Sequence, residues 1–380
     1  MADFGAEQQQ QNQLGLIPGL PDDLSMDCLI KVPHRFHSNL RCVCRNWRSL
    51  ISSSSYYSRR RLSKTTDPLI CLIQSHVTDL TVPGKSNIWD PRPTYTATLY
   101  NPIANTWHRH PSITIPIFAR SVEVAGKLIL FGGWDSVTLN AICDVQIVDT
   151  ATGQCRRGKP MSIARSFFAY AVVGSFVYIA GGHDNQKNAL NTAEIYDPDS
   201  DEWQSLPTMN EERDECQGVS IGGKFMVISG YTTDNQGGFR RGGESYDPKT
   251  LKWVKEDDEL WGSDGDLPWV ESPRSVIFAL PTPKGERLWH LDCSARGKCI
   301  KEYDWNAKTW CVVADAPEKL ETNPFVTVVG GEEVFVVGSD GEKKHRAWMM
   351  KDTRIQRKWE EIIVPFEFSN FAYSPVAFFI

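Results

Sequence analysis

One phrase recurs along the chain at intervals of about fifty residues, and this repetition limits the possible folds more than any other feature of the sequence. An apolar or aromatic residue is followed seven positions later by tryptophan in four of five copies, and by Cys155 in the other copy. The lead residues, which lie 48, 48, 50 and 57 positions apart, are Tyr100, Val148, Tyr196, Tyr246 and Tyr303. A looser sixth copy ends at Trp359. A period of this length indicates an architecture built from repeated structural units.

Each repeat contains four short runs of β-forming residues separated by turn residues. Asp-Pro follows the tyrosine at Asp197 and Asp247, and it predicts a turn because proline fixes φ and aspartate can bond the backbone two residues further on. We therefore expect the tyrosine and the tryptophan to pack across one hairpin. A Gly pair, as in "KLILFGG" and "FVYIAGG", ends a run where a positive φ or a close backbone approach is needed. Four strands in about fifty residues predict one blade of a β-propeller.

The order Gly-Gly, Tyr, Trp within a repeat resembles the kelch-repeat family, and the resemblance covers residues 67–380. The third and fourth copies match best, whereas the fifth has Trp289-His290 in place of the glycines and the sixth lacks the tyrosine. The resemblance implies a mostly β protein, folded as a six-bladed kelch β-propeller.

The sequence also predicts how the propeller closes. The first repeat has its second, third and fourth runs, but no first run precedes Pro68. The apolar run "NFAYSPVAFFI", from Asn370 to Ile380, belongs to no repeat. We predict that it returns to supply the innermost strand of the first blade, because closure would remove an open sheet edge.

The bulk composition narrows the class of protein. The segment 1–14 is rich in glutamine and predicts a disordered tail rather than a signal peptide. No apolar run approaches the length of about 20 residues that a membrane helix needs. The ten cysteines are scattered through apolar runs, which favours reduced thiols. We therefore expect a protein of the cytoplasm, the nucleus or both, without a membrane partner.

The segment 15–64 predicts a small helical domain. Pro21 followed by Asp22 and Asp23 favours the start of a helix, and Pro33 stops it. A second helix is predicted from Ser38 as N-cap. From Lys31 to Lys64 there are nine Lys/Arg and no Asp/Glu, and the remaining chain has 32 basic against 47 acidic residues. A domain of fewer than about 50 residues buries too little surface to be stable alone, so the apolar side chains of these helices need a partner to pack against.

The apolar and proline positions of this segment together resemble an F-box. The resemblance implies docking on the acidic Skp-type adaptor of a cullin–RING ubiquitin ligase through Leu20, Pro21, Leu24, Leu29, Val32, Pro33, Leu40, Val43, Cys44 and Trp47. The order of an F-box and a kelch propeller is similar to plant F-box/kelch-repeat proteins. Several stretches resemble the subgroup linked to turnover of phenylalanine ammonia-lyase and of cytokinin-response regulators.

A substrate is predicted to bind where the second strand of each blade ends and the first begins. Arginines near the start of four first strands would attract an acidic or phosphorylated segment: Arg120, Arg165, Arg213 and Arg274. The residues after the Gly pairs should line the same mouth: Trp134, His183, Asp184, Asn185, Tyr231 and Asp234. The alternative is that these arginines pair with Asp184, Asp214 or Glu215 and only join neighbouring blades.

Other kinds of site are disfavoured. Cys42 and Cys44 with His34 and His37 could bind a metal, but they do not share one helix face. The basic block could contact nucleic acid, but arginines on a solvated helix face are commonplace. We expect no cofactor, no metal and no catalytic residue. The main hypothesis is a non-catalytic substrate receptor that binds a protein, and the alternatives are a kelch scaffold outside ubiquitination and a propeller enzyme.

Overall fold

The computed structural model describes residues 15–76, 94–110, 113–256, 275–293, 297–331, 333–353 and 356–380, so the predicted tail at 1–14 and Arg274 lie outside the described residues. Four helices come first: α1 Asp22–Leu29, α2 His37–Val43, α3 Arg45–Ile51 and α4 Ser54–Leu62. Short 3-10 turns lie at His34–Phe36, Thr233–Asn235 and Phe366–Phe368. Within the described residues, no helix has the length and apolar character required to span a membrane.

The second predicted helix is in fact two helices, and this corrects its predicted N-cap. A 3-10 turn leads into α2, which begins at His37, so Ser38 lies inside the helix. Cys44 has extended backbone between α2 and α3, and its Sγ accepts a hydrogen bond from the backbone N–H of Trp47 at 3.4 Å. Cys44 therefore caps α3 instead of packing as a small apolar side chain within one longer helix.

In the part of the chain that the structure describes, twenty-four strands form six four-stranded antiparallel sheets, which confirms the six-bladed propeller. The first blade contains β1 Pro68–His76, β2 Thr94–Asn101 and β3 Thr106–Arg109, and the second β4 Arg120–Val124, β5 Lys127–Phe131, β6 Val145–Asp149 and β7 Cys155–Arg157. The third contains β8 Ala169–Val173, β9 Phe176–Ala180, β10 Ala193–Asp197 and β11 Glu202–Leu206, and the fourth β12 Gln217–Ile221, β13 Lys224–Ile228, β14 Gly243–Asp247 and β15 Lys252–Glu256. The fifth contains β16 Ser275–Thr282, β17 Gly285–Asp292, β18 Cys299–Asp304 and β19 Thr309–Asp315, and the sixth β20 Thr322–Val329, β21 Glu333–Ser339, β22 His345–Thr353 and β23 Gln356–Ile362.

The last strand closes the ring as predicted. β24, Ala372–Phe379, pairs antiparallel with β1 and becomes the innermost strand of the first blade, in the order β24-β1-β2-β3. Tyr373 and Phe378 are buried in a cluster that also contains side chains of the helices. The closure therefore joins the two ends of the ring by backbone hydrogen bonds and by a shared apolar core.

The predicted tyrosine–tryptophan pairs form across the third and fourth strands. Tyr196 lies directly opposite Trp203 with ring centroids 4.7 Å apart, and the first, fourth and fifth blades repeat the contact at 4.5, 5.4 and 5.3 Å. In the sixth blade Met350 stands opposite Trp359. The turn between these strands is the predicted one, since Asp197 Oδ1 accepts from the backbone N–H of Asp199 at 2.9 Å.

The Gly pairs allow two backbone segments to touch. Gly182 has φ +80°, and a Cβ there would collide with the carbonyl oxygen of Ser166. Ser166 lies just before β8 and forms an isolated bridge with His183. The glycine thus brings the start of the first strand against the end of the second, and this fixes the geometry of the mouth.

Burial lowers the pKa of four histidines in the described residues: His34, His37, His290 and His345. Burial lowers the pKa of His37 and His290 to about 3, and that of His34 and His345 to about 4. His290 is fully buried on β17, and neither ring nitrogen has a hydrogen-bond partner in the described part of the chain. All four imidazoles are therefore neutral in the folded protein at neutral pH.

Acidification should destabilise the protein through these histidines. Their contribution to the free energy of unfolding is complete above about pH 6.5 and is lost as the pH falls towards 4, because only the unfolded chain gains protons in that range. His290 alone accounts for about 2 kcal/mol at about pH 5. Urea unfolding at about pH 7.5 and about pH 5 measures the drop. His290→Leu should reduce this drop in the free energy of unfolding, whereas His108→Leu, at an exposed position, should leave it unchanged. An equal drop in both variants would show that His290 is not responsible for the loss of stability.

Candidate functional site

The helices carry large apolar side chains that the fold leaves in solvent. Leu20 is 39% exposed, Leu24 53% and Val43 60%. All three belong to the predicted adaptor-binding set, and Pro21 and Cys44 from that set are exposed as well. Exposed apolar side chains grouped on one small domain are typical of a protein-binding surface.

The remaining predicted adaptor-binding residues lie deeper. Val32, Pro33, Leu40 and Trp47 are half-buried, and the Trp47 indole N–H donates to the carbonyl of Leu16 at 2.5 Å. Leu29 is buried in the core beneath the helices. The structure therefore corrects the prediction for Leu29, whose side chain supports the domain from inside and is not available to a partner.

Positive charge covers the helices. Between Lys31 and Lys64, the ion pairs that the structure describes are Arg59 with Asp27 at 3.8 Å and Arg60 with Asp67 at 3.5 Å. Arg45 and Arg48 are exposed on α3. Apart from the buried Arg60 and the half-buried Arg41, the basic side chains of this segment are exposed, as are Leu24 and Val43, and this combination suits an acidic protein partner.

Arg60 links the helices to the propeller through hydrogen bonds of its guanidinium. Its guanidinium is fully buried and donates to the carbonyls of Ile30 and Val32 at 2.6 Å each, and to the carbonyl of Ile380 at 3.3 Å. The backbone of Asp67 exchanges two hydrogen bonds with Ile380. The end of the closing strand therefore lies against the helices, and the helical domain has a fixed place on the ring.

Two of the four candidate metal ligands of the helical domain, His37 and Cys44, make structural hydrogen bonds. His37 is buried, with Nε2 3.1 Å from the carbonyl oxygen of Val32 and Nδ1 3.4 Å from the hydroxyl of Tyr57. Cys42 is exposed on α2, and Cys44 caps α3. No group of three or more potential metal ligands comes together in the described ranges of the chain.

The predicted mouth forms where the first strands begin. Ile117 pairs with Trp134, Ser166 with His183 and Asp214 with Tyr231, so three blades repeat one arrangement. The residues that follow Ile117, Ser166 and Asp214 have a left-handed backbone. Their φ angles are +58° at Phe118, +55° at Phe167 and +50° at Glu215. A left-handed backbone is uncommon outside glycine, and here it turns the chain into the first strand of each of these blades.

Arg165 and Arg213 do not face this mouth, which corrects their predicted role. Arg165 is 0% exposed and Arg213 2% exposed. Arg165 donates to Glu194 at 2.9 Å and to the carbonyls of Gly181 and Thr192, and Arg213 lies 3.4 Å from Glu244. Each pair joins the segment before a first strand to the third strand of the same blade, so the pairs do not join neighbouring blades as the alternative proposed.

Arg120 is not equivalent to those arginines. Arg120 pairs with Phe131 in the second blade, and the equivalent pair in the third blade is Ala169 with Ala180. Arg120 therefore lies on the first strand of its blade, β4, and not before it. The position that corresponds to Arg165 in the second blade is Pro116, and Gln146 takes the place of Glu194. Arg120 is half-buried, lies 5.6 Å from the ring centroid of Tyr170 and forms no ion pair within the described residues, and substrate binding by it stays a prediction.

A chain of contacts crosses three blades at the mouth. His183 Nδ1 lies 2.9 Å from both carboxylate oxygens of Asp214, and its Nε2 lies 3.0 Å from Lys187 Nζ. Lys187 Nζ also lies 3.6 Å from the ring centroid of Trp134. His183 is buried, which argues against the predicted contact of its side chain with a substrate. The sequence pattern gave no signal for Lys187, because only the fold brings its loop over Trp134.

The other predicted mouth residues differ in exposure and in their hydrogen bonds. Tyr231 is half-buried and donates its hydroxyl proton to Glu215 at 3.0 Å, whereas Asn185 and Asp234 are exposed. Asp184 holds its own loop, since Oδ1 accepts from the backbone N–H groups of Gln186 and Asn188. Trp134 and Tyr231 are both half-buried, and substrate binding by them stays a prediction.

Known protein families match both parts of the chain. Residues 17–59 match the F-box domain, and residues 118–162 and 164–210 match the Kelch motif. The first match covers the four helices up to Arg59, and the other two cover most of the second and third blades.

Curated relatives match nearly the whole chain. The F-box/kelch-repeat protein SKIP20 of Arabidopsis thaliana is 37% identical over 94% of this chain and 95% of its own length. The F-box/kelch-repeat protein At2g44130 of the same plant is 35% identical over 99% of this chain and 98% of its own length. The F-box/kelch-repeat protein At1g80440 is 34% identical over 69% of this chain and 74% of its own length.

Proposed function

Because the chain belongs to the F-box/kelch-repeat family, we propose that it is the substrate-recognition subunit of an SCF-type ubiquitin ligase. The F-box helices dock on a Skp-type adaptor and through it on a cullin–RING assembly. The propeller holds a protein for ubiquitination and proteasomal degradation. The subunit itself is non-catalytic, and it acts in the cytosol or the nucleus by raising the effective concentration of its substrate.

The observation that carries this proposal is the exposure of Leu24 on α1, of Val43 on α2 and of Leu20 just before α1, while the helices bury their other face. Ile51, Tyr56 and other helical side chains already share a core with the propeller, so the domain needs no second partner for its stability. Exposed apolar side chains beside a basic face therefore favour a binding surface for an acidic protein.

Docking should fail when charge is placed on this surface. Leu24→Asp with Val43→Asp is expected to reduce adaptor capture at least tenfold, because each carboxylate would be desolvated in an apolar interface (about 1.4 kcal/mol or more in total). Leu62→Asp is the matched control, since Leu62 is an exposed leucine of α4 outside the predicted set. Pull-down with the purified Skp-type adaptor measures capture, and thermal unfolding confirms that each variant folds. No capture by the wild type, or equal capture by both variants, would overturn the proposal.

The substrate end lies on the other side of the ring. Arg61 of α4 approaches Gly126, at the turn from the first to the second strand of the second blade, whereas the mouth lies where second strands end. We propose that Trp134, Tyr231 and Arg120 contact the captured protein. Phenylalanine ammonia-lyase and cytokinin-response regulators are the candidate substrates to test first, which would place the protein in phenylpropanoid regulation or hormone response.

The alternative function is a kelch scaffold that takes no part in ubiquitination. The extensive core shared by the helices and the propeller is compatible with it. The adaptor pull-down separates the two functions, because a scaffold would not bind the adaptor with either wild-type or variant helices.

A further inference from the structure

The innermost strands of the six blades surround a central cavity of about 730 Å³. Cavities of about 300–1,000 Å³ are the usual size of small-molecule sites in proteins. Side chains from the first strands of all six blades line it, including those near the mouth. The cavity is therefore large enough to hold an organic ligand beneath the place where a protein substrate would bind.

Arg120 brings an unpaired positive charge to this cavity. Its Nε is buried and has no hydrogen-bond partner, and no carboxylate in the described chain forms an ion pair with the guanidinium. The contact that the structure gives this group is with the ring face of Tyr170. A partly buried guanidinium without a counter-ion is unfavourable, and an incoming anion would relieve that cost.

Aromatic rings line the mouth side of the same cavity. Phe118 lies 4.9 Å from Phe167 and 5.9 Å from Tyr373, measured between ring centroids. Tyr170 and Tyr373 line the same space. A flat apolar body could therefore stack on these rings while its charged group reaches Arg120.

The charged side chains that line the cavity determine which anionic charge a ligand can carry. Arg120 is the basic side chain among its described lining residues, whereas Glu123, Glu215 and Glu286 are acidic. Glu123 and Glu286 accept hydrogen bonds from the backbone N–H groups of Gly126 and Gly222, at the first hairpin turns away from the mouth. These carboxylates would repel a dianion about twice as strongly as a monoanion, and Arg120 offsets a single negative charge, so a monoanion is favoured over a dianion.

We propose that this cavity binds a small organic monocarboxylate with a planar apolar body, whose carboxylate is held by Arg120. A guanidinium binds a carboxylate through two parallel hydrogen bonds, and the surrounding rings fit the body of such an acid. The ligand is a free metabolite-sized acid, so its binding requires neither the adaptor nor a protein substrate. The bound acid would form part of the floor of the mouth.

The test uses a matched pair of probes on the full chain. Naphthalene-1-carboxylate and the neutral naphthalene-1-methanol have the same body, and isothermal titration measures the affinity of each. We expect the acid to bind the wild type with a dissociation constant below about 1 mM and at least tenfold more tightly than the alcohol. Arg120→Met should lose at least tenfold in affinity for the acid but not for the alcohol, and Arg120→Lys should retain part of it.

Arg156→Met is the control variant, because Arg156 is an exposed arginine paired with Asp201 outside the cavity. It should bind the acid like the wild type. Equal affinities for acid and alcohol, equal affinities of the wild type and Arg120→Met for the acid, or no binding of the acid at about 1 mM would each overturn the proposal. Retained adaptor capture by Arg120→Met shows that the variant is folded, so loss of ligand binding is separable from failure of the proposed ligase function.

Discussion

Deletion of residues 370–380 is expected to abolish cooperative unfolding of the whole propeller. The deletion removes β24 and with it the buried Tyr373 and Phe378. Loss of each large aromatic side chain from a core costs about 3–5 kcal/mol, and the net stability of a protein is about 5–15 kcal/mol. It also leaves β1 with an unpaired edge, which favours association between chains.

Circular dichroism during heating and size-exclusion chromatography measure this effect. Phe378→Ala tests the core contribution alone and should lower the melting temperature by several degrees or more. Phe366→Ala is the matched control, since Phe366 is 91% exposed just before the closing strand, and it should melt like the wild type. A deletion variant that melted as cooperatively as the full chain would show that β24 does not hold the ring together.

Breaking one of the buried Arg–Glu pairs should be the next most damaging change. Arg165→Met leaves the Glu194 carboxylate in a site where both side chains are essentially inaccessible to solvent. Removal of one partner of a buried ion pair costs about 3–5 kcal/mol, because the other charge stays desolvated. The double variant Arg165→Met/Glu194→Leu should recover most of that loss, since apolar side chains can replace a buried pair at little cost.

Chemical unfolding of the wild type, the two single variants and the double variant gives the coupling energy of this pair. The ion pair of Lys159 and Glu202 is a suitable control, because both side chains are about half exposed and Lys159→Met should cost less than about 1 kcal/mol. If Arg165→Met unfolded at the same denaturant concentration as the wild type, the pair would not support the blade. Loss of substrate capture in an Arg165 variant is therefore not evidence of direct substrate contact.

The sequence predicted the parts of the fold that depend on local spacing. Tyr196 and Trp203 lie seven positions apart and pair across a single hairpin, so the repeat revealed both the strands and their contact. The pairing of β24 with β1 was also predictable, because the strand missing before Pro68 and the unassigned run at the other end match each other.

The sequence could not show which arginines face solvent. Arg165 meets Glu194 only after the chain has formed two further strands, and an arginine before a strand looks the same whether its partner is buried or absent. A signal existed, however, because a glutamate stands two residues before the tyrosine only in the blades with that arginine, at Glu194 and Glu244. The break at Cys44 was missed for a similar reason, since a cysteine is an uncommon helix cap.

Closure by the last strand also sets an order of events during protein synthesis. The F-box helices leave the ribosome first, but Arg60 of α4 finds its contact at Ile380 only after the residues of β24 have been translated. A polypeptide released early would carry the F-box helices without a closed ring. Because domains fold as units and exposed strand edges are prone to aggregate, such a product is expected to be removed by quality control.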